Sequence, residues 1–364
     1  MHPTPLKFLM PGWFSVVMGL AGLGLAWFSA EAALGSSATG VALVFGTVAL
    51  LVFVALLVLS VQRANRFAAA LAEDLRHPVR HAFVAALPVA ALLLVTLAVA
   101  LAGTHPVLDA LWWLAALGQL WATVWVLRRW LVATPVPSVP QSSTPAALQG
   151  LIQGASLSPA KPAAPAPSAP AFWPTVTPVL FIPVVGNVVA PLAGLALGHP
   201  VWAMAQWGVG LLLWPVVLGL LLVRRAVQGP LPERLLPTWF ITVAPPSVIG
   251  LVAVQLHAPL AVVAACWGMA LFFLLWVAGI AQQAVNQPFS LTFWAVSFPL
   301  AAFTTLTLRL AELAESGGLQ MAGTLLLALT SLVVFGLCLG TVRGLRDGSL
   351  LAPEPVASIT PVAG

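Results

Sequence analysis

Apolar residues in this chain neither alternate nor recur with a helical period. They run continuously for about twenty residues at a time, separated by short polar turns. A helix that is apolar all round belongs in a membrane or a large core, and about 20 residues are needed to cross the hydrocarbon layer. Ten such runs fall at approximately 8–30, 39–61, 82–102, 107–130, 178–197, 201–223, 238–256, 259–281, 293–313 and 321–342. A transmembrane β-barrel would instead show roughly ten-residue stretches of alternating polarity. The pattern predicts an all-α, multi-pass membrane protein of ten transmembrane helices.

Proline divides the ten runs into two sets. The odd-numbered runs carry Pro11, Pro88, Pro183 with Pro191, Pro245 with Pro246, and Pro299; among the even ones only the sixth carries one, Pro215. Proline removes a backbone donor and crowds the preceding turn, so in lipid it persists where neighbouring helices or water satisfy the freed carbonyl. The odd helices are therefore expected to be proline-kinked and inner, lining a central pore, with the even helices packed around them. Gly103-Thr104-His105-Pro106, Gly198-His199-Pro200 and His257-Ala258-Pro259 read as tight turns, with Gly closing one helix and Pro opening the next. They pair successive runs into five helical hairpins, a degraded internal repeat with pseudo-fivefold character.

Composition agrees, at 61% hydrophobic and only 6% charged residues over 364. The net charge of +5 does not indicate nucleic acid, because the Arg residues are spread over interhelical loops. They report topology instead. Lys7, Arg63, Arg66, Arg76, Arg80, Arg128, Arg129, Lys161, Arg224, Arg225, Arg234, Arg343 and Arg346 fall on one side, and only Arg309 on the other, with Glu31, Asp109, Glu312 and Glu315. Both termini are therefore expected in the cytoplasm. The first run is read as a retained helix rather than a cleaved leader. Residues 1–364 form one channel domain, interrupted by a Pro/Ala/Ser-rich stretch at about 133–171 that is expected to be a flexible cytoplasmic linker. A short interfacial helix is expected at 67–75.

Little reactive chemistry is in view. No Asp or Glu lies near the middle of a run, whereas ion-coupled transporters commonly need a buried carboxylate or an unwound polar site there. That favours passive conduction. His105, His199 and His257 read as polar caps at the membrane surface, with proton dependence as the other reading. His77 and His81 have the spacing of two metal ligands on a helix, but Pro78 and Arg80 intervene, so no metal and no cofactor are expected. Cys266 and Cys338 form no paired motif. Trp112, Trp113, Trp121, Trp125 and Trp130 read as interface anchors and packing. An embedded enzyme or sensor lacks a catalytic constellation.

Several motifs follow one another in a familiar order: His77-Pro78-Val79-Arg80, Pro183-Val184-Val185-Gly186-Asn187, Pro232-Glu233-Arg234-Leu235-Leu236-Pro237-Thr238-Trp239-Phe240-Ile241, Ala244-Pro245-Pro246-Ser247, and Ser297-Phe298-Pro299-Leu300. In this the chain resembles the tellurite-resistance/dicarboxylate transporter family, which spans plant slow anion channels, bacterial tellurite-resistance channels, and fungal dicarboxylate and sulfite transporters. The resemblance covers the chain apart from 133–171. It implies five hairpins around a pore, a homotrimer with one pore per subunit, and small inorganic or organic anions as cargo. It also places Phe298 at the family's pore-occluding phenylalanine, where an apolar ring excludes ions by dewetting; packing against a neighbour is the other reading of the residue. Arg80, Arg234 and Arg309 are candidates for anion attraction, Arg309 alternatively being paired with Glu312 or Glu315. A carrier exporting a C4-dicarboxylate, sulfite or tellurite is the alternative to a channel.

Overall fold

The computed structural model describes residues 5–131 and 172–352; the expected linker at 133–171 lies outside them. Ten helical segments organise the bundle: α1 (Phe14–Ser29), α2 (Ser36–Arg66), α3 (Ala86–Ala102), α4 (Pro106–Leu131), α5 (Phe181–Val189), α6 (Pro200–Gln228), α7 (Ala244–Gln255), α8 (Leu260–Ala278), α9 (Ser297–Leu313) and α10 (Gly317–Arg346). No strand occurs among the described residues. Among the described residues, nine spans are long and apolar enough to cross a bilayer; the tenth, Pro178–Gly194, is shorter. At 1.5 Å per residue it reaches about 25 Å, less than the roughly 30 Å hydrocarbon layer. The protein is a multi-pass, all-α membrane protein.

Burial separates the two sets. In the most apolar windows of the spans ending in α1, α3, α7 and α9, 83%, 56%, 78% and 72% of residues are buried, against 17%, 39%, 22%, 28% and 22% for α2, α4, α6, α8 and α10. Every residue of α5 is buried. The even helices turn Leu51, Leu114, Leu212, Leu275 and Leu332 outward, each at least 65% exposed, which suits a lipid-facing surface.

Each odd helix packs against its even partner: α1 on α2, α3 on α4, α5 on α6, α7 on α8 and α9 on α10. The odd helices also contact one another in a cycle, α1–α3–α5–α7–α9, which closes because α9 packs on α1. Small residues permit these approaches: a Cβ on Gly19 of α1 would lie 2.3 Å from Ser297 Oγ, and one on Gly210 of α6 would lie 2.4 Å from Val188 Cγ1. Trp and hydroxyl side chains tie inner helices to outer ones. Trp27 Nε1 donates to Ser331 Oγ (3.1 Å), Trp267 Nε1 to Thr307 Oγ1 (3.0 Å), and Trp294 Nε1 to Thr341 Oγ1 (2.9 Å).

The prolines act differently from mid-helix kinks. All five inner helices are preceded by a 3₁₀ stretch: Pro11–Trp13, Arg80–Ala85, Pro178–Leu180, Glu233–Val243 and Leu291–Val296. Pro88, Pro183, Pro246 and Pro299 each stand third in the α-helix that follows, Pro245 stands second, and Pro11 lies within its 3₁₀ turn. A missing N–H costs least in a first turn, so these prolines mark a change of winding rather than a break. Pro191 does mark a break, opening the separate turn Pro191–Gly194 beyond α5. Only Pro215, on outer α6, is flanked on both sides by long stretches of helix.

The five short turns share one device, a residue with positive φ: Gly35, Gly103, Gly198, His257 and Glu315. After the last three, the next N–H reaches back five residues, from His199 to Gly194 O, Ala258 to Ala253 O and Ser316 to Ala311 O, the Schellman pattern. At the opposite end α2, α4, α6 and α10 finish in Arg residues, which suits the negative end of a helix dipole and carries those helices beyond their expected limits. The short helix expected at 67–75 is Ala68–Arg76.

Candidate functional site

Inside the closed cycle lies a cavity of about 400 Å³ to which all five odd spans contribute. From α9 come Phe298, Ala302, Thr305 and Arg309, the i, i+4, i+7, i+11 stripe of a single helical face. Gly22, Leu25 and Ser29 of α1, Leu93, Thr96 and Ala100 of α3, and Val248, Leu251 and Gln255 of α7 repeat that periodicity. Leu192 and Ala196 supply the fifth wall from beyond the Pro191 break. The shortness of α5 is what brings this loosely wound segment to the cavity.

The lining is polarised along the axis. Toward the short turns stand Arg309 and Glu312; toward the basic end the lining stops at Gly22, Leu93, Val248 and Phe298. Phe298 is 5% exposed, and Leu93 and Val248 are fully buried. Beyond that level Ser297 is fully buried and Trp294 is 1% exposed. The vestibule is thus closed at one end by an apolar floor that includes the Phe298 ring.

Its few polar groups are mostly occupied. Thr96 Oγ1 donates to Leu92 O (2.8 Å) and Thr305 Oγ1 to Ala301 O (2.9 Å), both within their own helices. Gln255 Nε2 donates to Leu192 O at 3.0 Å, tying α7 to the segment after the break. Arg309 Nη1 donates to Glu312 Oε2 at 2.9 Å. Arg309 is therefore both cavity-lining and ion-paired.

The other expected site residues lie elsewhere. None of Pro11, Pro88, Pro183, Pro245, Pro246 and Pro299 lines the cavity; Pro299 adjoins Phe298 and turns into the packed wall. Arg80 and Arg234 are remote from it. Arg80 bonds Asp74 Oδ1 at 2.9 Å while Arg63 holds Asp74 Oδ2 at 2.6 Å, forming a clasp at the basic end. Arg234 is exposed, and its carbonyl accepts from Thr292 Oγ1. His77 Nδ1 accepts from the backbone of Val79 and Arg80, so its ring serves the turn. His199 pairs with Asp109 and stacks on Trp112 with ring centroids 5.1 Å apart. Trp112 itself is buried, donating to Ala190 O, rather than an interface anchor. Gly22, Thr305 and Gln255 escaped notice in the sequence, although the stripe from Phe298 to Arg309 was there to be read.

The sequence is similar to known proteins along most of the chain that builds this cycle of five inner helices. Residues 9–342 match the family described as voltage-dependent anion channel, SLAC1. The chain belongs to this family. It is 29% identical over 166 residues to the S-type anion channel SLAH3 of Arabidopsis thaliana, covering 45% of this chain and 26% of that protein. Two uncharacterized transporters of Methanocaldococcus jannaschii are 27% and 26% identical over 151 and 155 residues, covering 35% and 36% of this chain and 44% and 45% of their own lengths. The chain thus spans less than half the length of the curated relatives it matches.

Proposed function

We propose that this protein conducts anions passively through the centre of the helical cycle, and that Phe298 is its gate. The observation that carries this reading is the position of the Phe298 ring in the floor of a vestibule built by all five odd spans. An apolar constriction stops ions by excluding water, without any charged plug. The absence of a mid-span carboxylate among the lining residues favours conduction over ion-coupled pumping. Family membership and the name of the plant relative, an S-type anion channel, supply the anion.

The short-turn end faces outward in this reading, because the basic residues crowd the other end. It sets a bacterial inner membrane, cytoplasmic termini, a cytoplasmic 133–171 segment and a trimer as the arrangement to test. Protease added outside intact cells leaves that segment whole and cuts it in inverted vesicles; the reverse pattern overturns the orientation.

The gate is tested in liposomes by parallel flux of chloride, nitrate, sulfite and malate. Phe298→Ala raises flux strongly and Phe298→Leu raises it less, since Leu keeps a smaller apolar plug. Were the ring only packing, truncation would cost about 3–5 kcal/mol, and melting temperature would fall with flux unchanged. Saturable exchange in place of graded conductance would favour the alternative, a carrier for a C4-dicarboxylate, sulfite or tellurite.

A further inference from the structure

Among the residues lining the vestibule there is one cation, Arg309, and one acid, Glu312. Glu31 and Glu315 stand at the same end of the bundle but do not line it. The two lining groups are stacked along the path. With a rise of 1.5 Å per residue, the Glu312 backbone stands about 4.5 Å nearer the mouth than that of Arg309 along α9, and the two charged groups meet at 2.9 Å. An ion arriving from the short-turn end meets this charged pair first and the apolar floor last. Both side chains remain reachable, at 36% and 34% exposure.

The neighbouring neutral groups carry no charge for an anion: Thr96 and Thr305 commit their protons to Leu92 and Ala301 carbonyls, Gln255 commits a donor to Leu192, and Ser29 adds a neutral hydroxyl. Attraction therefore falls to Arg309, whose hydrogen bonds among the described residues go to Glu312 alone. Repulsion falls to Glu312. A pair of fixed charges acts on a passing ion in proportion to the ion's own charge. Beyond the pair, Leu93, Val248 and Phe298 give a second charge centre no partner.

The geometry points to Glu312 and Arg309 as a valence filter at the vestibule mouth: Arg309 draws anions in, and Glu312 excludes divalent anions more strongly than monovalent ones. This rests on the anion-channel reading. The filter is tested in the Phe298→Ala background, or Phe298→Leu if the first is unstable, by chloride and malate flux in liposomes at low and at molar salt. Glu312→Gln raises both fluxes at low salt, malate by several-fold more than chloride. Arg309→Gln lowers both, malate most. Molar salt shrinks both effects, because exposed charges are screened over about 3 Å at 1 M. Anion flux whose malate-to-chloride ratio is the same in all three proteins overturns the filter alone. Absence of anion flux from every protein overturns the channel reading and the filter with it.

Discussion

Gly22 on α1 faces Phe298 on α9: a Cβ built on Gly22 would stand 3.1 Å from Phe298 Cδ2 and 3.3 Å from the Ala301 methyl. The absence of a side chain there gives the ring room in the floor of the vestibule. A methyl group at this position requires the ring to give by a few tenths of an ångström, and it would fill part of the space that ring truncation opens. Adding Gly22→Ala to Phe298→Ala is expected to take back part of the gained flux in liposomes. Flux equal to that of Phe298→Ala alone would place Gly22 outside the conducting path.

The short turns make a prediction about stability. His257 (φ 53°) and Glu315 (φ 47°) occupy the positive-φ position that Gly198 fills in the equivalent turn. A residue with a Cβ pays about 1 kcal/mol or more in this region. His257→Gly and Glu315→Gly are each expected to raise the melting temperature in detergent by a few degrees. A fall at either position would mean that the side chain contributes more than its backbone strain costs.

Asp74 holds the basic end together. Its carboxylate joins Arg63 and Arg80, and Asp74 and Arg63 have side chains only 4% exposed. Deleting one member of a buried pair leaves an uncompensated charge and costs about 3–5 kcal/mol. Asp74→Asn is therefore expected to lower thermal stability sharply, while the Phe298-dependent increase in flux persists in whatever protein folds. A melting temperature unchanged by Asp74→Asn would show the clasp to be solvated.

A second polar knot lies within the bilayer span. The Pro183 carbonyl accepts from Gln119 Nε2 (2.7 Å), Thr123 Oγ1 (2.6 Å) and Asn187 Nδ2 (2.9 Å), all three side chains at most 2% exposed. The knot fixes α4 against α5 just before the Pro191 break. Thr123→Val removes one donor to that carbonyl and the acceptor for Asn187 Nδ2. It is expected to cost about 1–3 kcal/mol, read as a lower unfolding midpoint. Thr123→Ser retains the hydroxyl and should restore most of the loss.

Much of this architecture could be read from one-dimensional features. Continuous apolar runs located the spans, and proline separated the buried helices from the lipid-facing ones, because only a packed environment shelters the disrupted backbone. Hydropathy does not distinguish 3₁₀ from α winding, so Pro88, Pro183 and Pro299 read as kinks when they in fact stand in first turns. Arg80 read as a cation for anions because its partner, Asp74, sits on the separate helix Ala68–Arg76 and is brought back by the fold. Arg309 was readable, since a partner three residues away on one helix needs no tertiary information. Gly22 and Gln255 were not, because their part in the vestibule exists only when α1, α7 and α9 meet.

That meeting dictates an order of assembly. The helical cycle is sealed by α9 against α1, elements separated by nearly the whole described sequence. In chain order, the glycine face of α1, at Gly19 and Gly22, has no α9 partner until the fifth hairpin is made. Only the fifth hairpin covers that face, and it carries Phe298. On the proposed gate reading, the segment that completes the conduit also stoppers it, so no assembled but ungated hole precedes the fifth hairpin.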